Sequence, residues 1–200
     1  MPYPNEVAAL DVWNERVSRG LARLAHHGAP SGHVAEPLDE TVDNVRGPGS
    51  AHILVEYGDY ECPYSRAAYR AIQRLARELE FGFAFRHFPL TEIHPRALAA
   101  AGAAEAASLQ GHFWEMHDWL FHNQRRLADP ALHAASIELA LDVPRFDRDR
   151  ASDAVLDRIL RDVESGVASG AVHGTPTLFV DGVLHRGGYD AATLREALAS

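Results

Sequence analysis

The chain contains one cysteine, Cys62, within Cys62-Pro63-Tyr64-Ser65, after the apolar run Ile53-Leu54-Val55 and at the head of a helical pattern. A thiolate, not a thiol, attacks a disulfide, and the unpaired amides and dipole of a helix start favour that anion. Cys62 is therefore the candidate nucleophile for thiol-disulfide exchange; the alternative is an inert buried thiol. Because position 65 is serine, no internal disulfide can form anywhere in the chain. Redox chemistry at Cys62 must then pass through a bond to another molecule.

The neighbours of Cys62 supply a plausible site. Ser65 follows three residues later, so one helical turn can bring its hydroxyl toward the sulfur as a donor to the thiolate, or leave it as an ordinary solvated or capping group. Pro63 suits an early helical position, and Tyr64 can shape the pocket and touch substrate. Arg66 would favour the thiolate and Glu61 oppose it, unless both simply face solvent. Glu56 lies six positions upstream in an apolar strand, where a carboxylate is costly unless solvated or paired. Arg86 or a backbone amide could satisfy it.

Metal chemistry fits poorly. His112, His117 and His122 are spaced by five residues, so a helix turns them away from one another, and no second thiolate completes a cage. His117 reads instead as a satisfied core histidine, while His26, His27 and His33 offer at most opportunistic binding. No bound metal is expected. The carboxylates show no spacing suited to hydrolysis, and no glycine-rich phosphate loop follows a strand.

Two hundred residues with 46% hydrophobic and 24% charged content can bury one substantial core. A formal charge of −9, from 19 basic and 28 acidic residues, disfavours nucleic acid as a partner. No apolar run approaches membrane-spanning length and no signal-peptide pattern opens the chain, so a soluble cytoplasmic protein without membrane insertion is expected. One cysteine supplies no structural disulfides, and nothing demands an oxidising compartment.

The elements that must position these residues follow from periodicity. Leu10, Trp13, Val17, Leu21 and Leu24 form one apolar stripe of a helix over 6–27, which could pack on the body, self-associate or face another protein. Residues 28–32 and 46–50 read as breaks. A strand is predicted over 52–57, a helix over 63–79 and a strand over 81–88. Helices follow over 95–109, 111–126, 130–141 and 152–167. A hairpin of 177–180 and 183–186 turns at Asp181-Gly182, and a last helix runs over 191–199. The fold class is thus α/β, in the order β-α-β, helical insertion, β-β-α.

This pattern resembles the DsbA-type branch of the thioredoxin superfamily over about residues 40–198. The resemblance rests on Ile53–Tyr57, Cys62-Pro63-Tyr64-Ser65, the helical insertion and Gly174-Thr175-Pro176-Thr177. The segments Arg86-His87-Phe88-Pro89-Leu90 and Phe113-Trp114-Glu115-Met116-His117-Asp118 look like DsbA-like domains found alone or fused to bacterial sodium/proton antiporters. The resemblance implies a thioredoxin-like core of 39–90 and 171–200, a helical insertion of 91–170, and an N-terminal helix with linker over 1–38. It also implies a proton-moving role for Glu56 beneath the cysteine. Thr175 and Pro176 would form a cis-proline loop that positions an extended substrate and keeps stray metals out.

The expected activity is thiol-disulfide exchange through mixed disulfides with protein or peptide thiols, without a tightly bound cofactor. Glutathione or another low-molecular-weight thiol would serve as co-substrate. Two other readings stand beside it. Pro-Tyr-Ser is also similar to kappa-class glutathione transferases and related isomerases, although these favour serine where this chain has Cys62. The third is a redox-silent module that binds a peptide or regulates a transporter.

Overall fold

The computed structural model describes residues 4–27, 34–39, 41–47 and 49–199. Its centre is a five-stranded sheet in the order β1 (Asn44–Arg46), β3 (Gly82–His87), β2 (Ile53–Gly58), β4 (Thr177–Val180) and β5 (Val183–Leu184). β2 (Ile53–Gly58) and β3 (Gly82–His87) run parallel, joined by α2 (Pro63–Leu75). β4 (Thr177–Val180) pairs antiparallel with β2, and the short β5 (Val183–Leu184) closes one edge. Between β3 and β4 lie α3 (Ala97–Ser108), α4 (Phe113–His122), α5 (Asp129–Glu138), α6 (Val143–Asp149) and α7 (Asp153–Ala168), and α8 (Ala191–Leu198) ends the chain.

Strand alternation divides the sheet's two faces. Leu54 and Phe85 join the core formed with Ile72 and Leu75 of α2, Met116 and Phe121 of α4, and Leu194 of α8. Val55, Tyr57 and Phe179 join Ala35 and Val172 on the opposite side, where the Tyr57 hydroxyl lies 2.9 Å from Ser165 of α7. Glu56 shares the face of Leu54 and is therefore beneath α2. At Gly58, on the same face, an added Cβ would stand 2.3 Å from the Phe85 ring and 2.9 Å from a Glu56 oxygen, so only glycine fits.

The N-terminal helix α1 (Pro4–His27) packs on the body through Trp13, which is buried among Leu98, Val155, Ile159 and Val163. Arg16 adds ion pairs to Asp153 and Asp157 at the start of α7. The break at 28–32 and His33 lie outside the described residues, as do the side chains of Leu21, Leu24, His26 and His27. At the other end of the sheet, Asp181 and Gly182 take φ values of 50° and 81°, as a tight hairpin turn requires.

Several boundaries differ from the sequence expectation. Asn44–Arg46 forms β1, an edge strand antiparallel to Phe83–Phe85, where the sequence suggested only a turn beginning at Arg46. α6 is an additional short helix, started by the Asp142 carboxylate accepting from the Arg145 amide at 3.0 Å. α2 ends at Leu75 and continues as turns that still bring Leu79 against the core. α4 stops at His122, where the Asn123 side chain donates to the Trp119 carbonyl at 2.9 Å. This leaves residues 124–126 in a turn that reaches the Cys62 loop.

Candidate active site

Asp59 organises the turn that delivers Cys62. Its buried carboxylate accepts from the Glu61 amide at 2.7 Å and the Leu90 amide at 2.9 Å, and lies 2.8 Å from His94 Nδ1. The 59–61 turn is thereby tied to the 90–94 turn at one point. Cys62 then takes an extended conformation (φ −70°, ψ 122°) as the N-cap of α2, with Pro63 in the first turn, where its missing amide hydrogen costs nothing.

No side chain caps α2 and no acidic residue occupies its first turn, so the positive end of the helix is left to the sulfur. Cys62 is only 3% exposed, and its Sγ donates to the Thr175 carbonyl at 3.3 Å. The Thr175-Pro176 peptide bond is cis. Thr177 Oγ1 donates to the Gly174 carbonyl at 2.7 Å, which ties the loop to β4, while the buried Thr175 Oγ1 has no hydrogen-bond partner.

Glu56 is fully buried, and neither carboxyl oxygen has a hydrogen-bond partner. Burial pushes its pKa from the ordinary 4.5 to about 8. The suggested pairing with Arg86 does not occur, because Arg86 stands beside Tyr57 in the register and so faces the other side of the sheet. There it donates to Asp43 at 2.9 and 3.1 Å and to the Tyr57 hydroxyl at 2.9 Å. The same guanidinium holds Asp43 below the usual carboxylate range despite burial.

Ser65 is buried, and its hydroxyl accepts from the Asp59 amide at 3.3 Å. Among the described residues no hydrogen bond joins it to Cys62. Tyr64 projects outward, 60% exposed, with its ring 6.5 Å from that of Tyr189. Arg66 is half-buried, and Glu61 accepts from the Arg96 amide at 2.6 Å.

His117 is a core residue, but only half satisfied. Its Nδ1 lies 3.0 Å from the Tyr60 hydroxyl, whereas Nε2 has no partner. Enclosure by Phe85, Phe113, Trp114 and Phe121 pushes its pKa well down, so the ring is neutral.

One residue escaped the sequence reading. Gln124 Nε2 donates to both the Tyr60 and Cys62 carbonyls, each at 2.8 Å, and so pins the cysteine loop to the helical insertion. A glutamine 62 positions from its target leaves no local pattern.

A parallel β-α-β unit with a cysteine at its helix start, opposed by a proline loop and followed by a β-hairpin and helix, defines a thioredoxin-like fold. The thioredoxin family model matches residues 42–200, and the chain belongs to that family. Its fold is DsbA-like. It is similar to a thioredoxin-like oxidoreductase from Silicibacter pomeroyi (26% identity, TM-score 0.69, covering 78% of this chain and 90% of that one). It also matches BdbD from Bacillus subtilis at 18% identity and TM-score 0.70, covering 84% of this chain and 97% of that one. Among curated proteins it is 43% identical to a Na(+)/H(+) antiporter NhaA 3 of Salinispora tropica, over 96% of this chain and 31% of the antiporter. An NhaA 1 antiporter of Salinispora arenicola is also 43% identical, over 82% of this chain and 25% of the antiporter. The chain thus spans about a quarter to a third of the length of these curated relatives. Among the described residues no helix is long and apolar enough to cross a membrane.

Proposed function

We propose that the protein is a thiol-disulfide oxidoreductase that works through Cys62 alone. The observation that carries this reading is the placement of Cys62 Sγ at the uncapped start of α2, 3.3 Å from the Thr175 carbonyl, with the unpaired carboxyl of Glu56 on the same side of the sheet. In the first step the Cys62 thiolate attacks a partner disulfide. A Cys62-partner disulfide forms, the partner's S–S bond breaks, and the second sulfur leaves as a thiolate. An external thiolate then attacks the partner sulfur, forming a new disulfide with it and releasing Cys62 as thiolate.

Glu56 serves as a proton reservoir in this scheme. With a pKa of about 8 it is mostly protonated at neutral pH, so it can give a proton to a departing thiolate and recover one when Cys62 ionises. Tyr64, Pro63, Thr175 and Pro176 would bind the partner chain, and Ser65 would support the Asp59 turn from within. Partners would be protein or peptide thiols and a low-molecular-weight thiol, with glutathione as the simplest candidate. The reading places this exchange in the cytoplasm, where abundant small thiols keep a monothiol site reduced.

Turnover of a mixed disulfide between glutathione and 2-mercaptoethanol, with glutathione as the resolving thiol, tests the proposal. Activity abolished by Cys62→Ser supports it; equal activity in that variant refutes it. A redox-silent regulatory module is the second reading, favoured by the antiporter relatives. It predicts no thiol-dependent turnover.

A further inference from the structure

Resting on the reading just given, we infer that the Cys62 site selects small anionic disulfides and thiols, whose carboxylates dock on a cationic rim formed by Arg66, Arg125 and Arg126. Two observations bring these residues together. First, Gln124 donates to the Tyr60 and Cys62 carbonyls, which holds the turn carrying Arg125 and Arg126 against the cysteine loop. Second, positions 62, 66, 69 and 73 form one stripe of α2, because successive members are three or four residues apart.

Three members of that stripe face α4 and the turn that follows it. Cys62 offers its carbonyl to Gln124, Tyr69 stacks on Phe121 with centroids 4.8 Å apart, and both Tyr69 and Gln73 donate to Asp118 at 3.2 Å. Arg66 is the member between Cys62 and Tyr69, and so lies on the side where Arg125 and Arg126 are exposed.

The charges on this side are uncompensated. Asp118 is held by Arg46 at 2.6 Å, and Asp129 is held by Arg150. Among the described residues Arg66, Arg125 and Arg126 have no ion-pair partner. Toward the 90–96 segment the site instead presents carboxylates, Glu61 accepting from the Arg96 backbone amide at 2.6 Å and Asp59 lying 2.8 Å from His94 Nδ1. A chain of net charge −9 therefore gathers three unpaired arginines beside its one nucleophile. Guanidinium groups match carboxylates in geometry as well as charge. Burial of Cys62, a residue only 3% exposed, favours a small partner over a folded one.

The test uses three small disulfides of different charge: oxidised glutathione, which is anionic; hydroxyethyl disulfide, which is neutral; and cystamine, which is cationic. The rate at which each forms an adduct at Cys62 is followed by intact mass at low ionic strength and divided by its rate with 2-mercaptoethanol. The overall negative charge alone would favour cystamine. The rim predicts the reverse, a normalised rate roughly tenfold higher for oxidised glutathione than for cystamine, shrinking as salt is added.

In R66Q/R125Q/R126Q, or in R125Q/R126Q where the triple variant folds poorly, this ratio falls to about one or below. It is unchanged in R148Q, which alters an exposed arginine on α6. Taking a ratio within each protein cancels any change in thiolate reactivity. A ratio at or below one in the unaltered protein, or one that the rim variants leave intact, overturns this inference while the exchange activity stands. Failure of Cys62 to react with all three reagents overturns both.

Discussion

Replacing Glu56 with glutamine separates the buried carboxyl's charge from its shape. In the unfolded chain the group titrates near 4.5, whereas in the folded protein burial raises it to about 8. The folded state therefore binds more protons between these values, and the stability contribution is fully present below 4.5 and lost as pH rises toward 8. At about 1.4 kcal/mol per pKa unit, wild type should lose roughly 3 kcal/mol between pH 4 and pH 7, and about 5 kcal/mol by pH 9, through this one group. Glutamine cannot ionise. The difference in unfolding free energy, Glu56→Gln minus wild type, should rise by those amounts over the same range. Any fixed cost of burying the amide shifts the whole curve without changing its slope. Urea unfolding of both proteins at several pH values measures it. A difference that stays flat within about 0.5 kcal/mol, comparable to the error of such measurements, would show that Glu56 is ionised and paired or solvated, refuting the reasoning.

Other expectations follow from particular contacts. Gln124→Ala removes the two 2.8 Å bonds to the Tyr60 and Cys62 carbonyls; it should cost about 2 kcal/mol in urea unfolding and slow adduct formation at Cys62. Asp43→Asn leaves the buried Arg86 without its counter-charge and should cost about 3–5 kcal/mol by the same assay. Trp13→Ala should cost about 3 kcal/mol or more, with limited proteolysis cutting within α1 before the core if that helix undocks on its own. With oxidised glutathione as the added oxidant, Ser65→Cys should form a reversible disulfide with Cys62, seen as the loss of two hydrogen atoms in intact mass; a folded variant that never forms it under those conditions would argue against their proximity.

Much of this arrangement is legible in the sequence because it is local. The apolar run Ile53–Val55, the Cys62-Pro63 start and the spacing of Ala68, Ile72 and Leu75 specify β2, the turn and α2 with little help from the rest of the chain. Asp181-Gly182 likewise announces its hairpin. β1 escapes because Asn44-Val45-Arg46 has no strand pattern of its own and becomes a strand only by pairing with Phe83–Phe85. α6 has a single buried apolar residue, Phe146, and its one local signal is the start, Asp142 ahead of Pro144.

The site's remaining features depend on register and on distant contacts. Glu56 and Arg86 look like natural partners by charge, yet the register Tyr57↔Arg86 puts them on opposite faces and leaves Glu56 alone. Gln124 and the Asp43–Arg86 pair join residues tens of positions apart, and no short-range pattern encodes them. The Ser65 hydroxyl is taken by the Asp59 amide, a consequence of how tightly the turn closes rather than of helical spacing.

The central claim, that Cys62 carries exchange through a mixed disulfide, is tested most directly by trapping that species. Reduced protein is mixed with a disulfide-bonded peptide, quenched with acid after brief intervals, and analysed by intact mass with fragment mapping. The account predicts one peptide adduct located at Cys62, which disappears when glutathione is added and never forms in Cys62→Ser. The absence of any adduct from the folded protein, while the same chain unfolded in urea reacts readily, would contradict it.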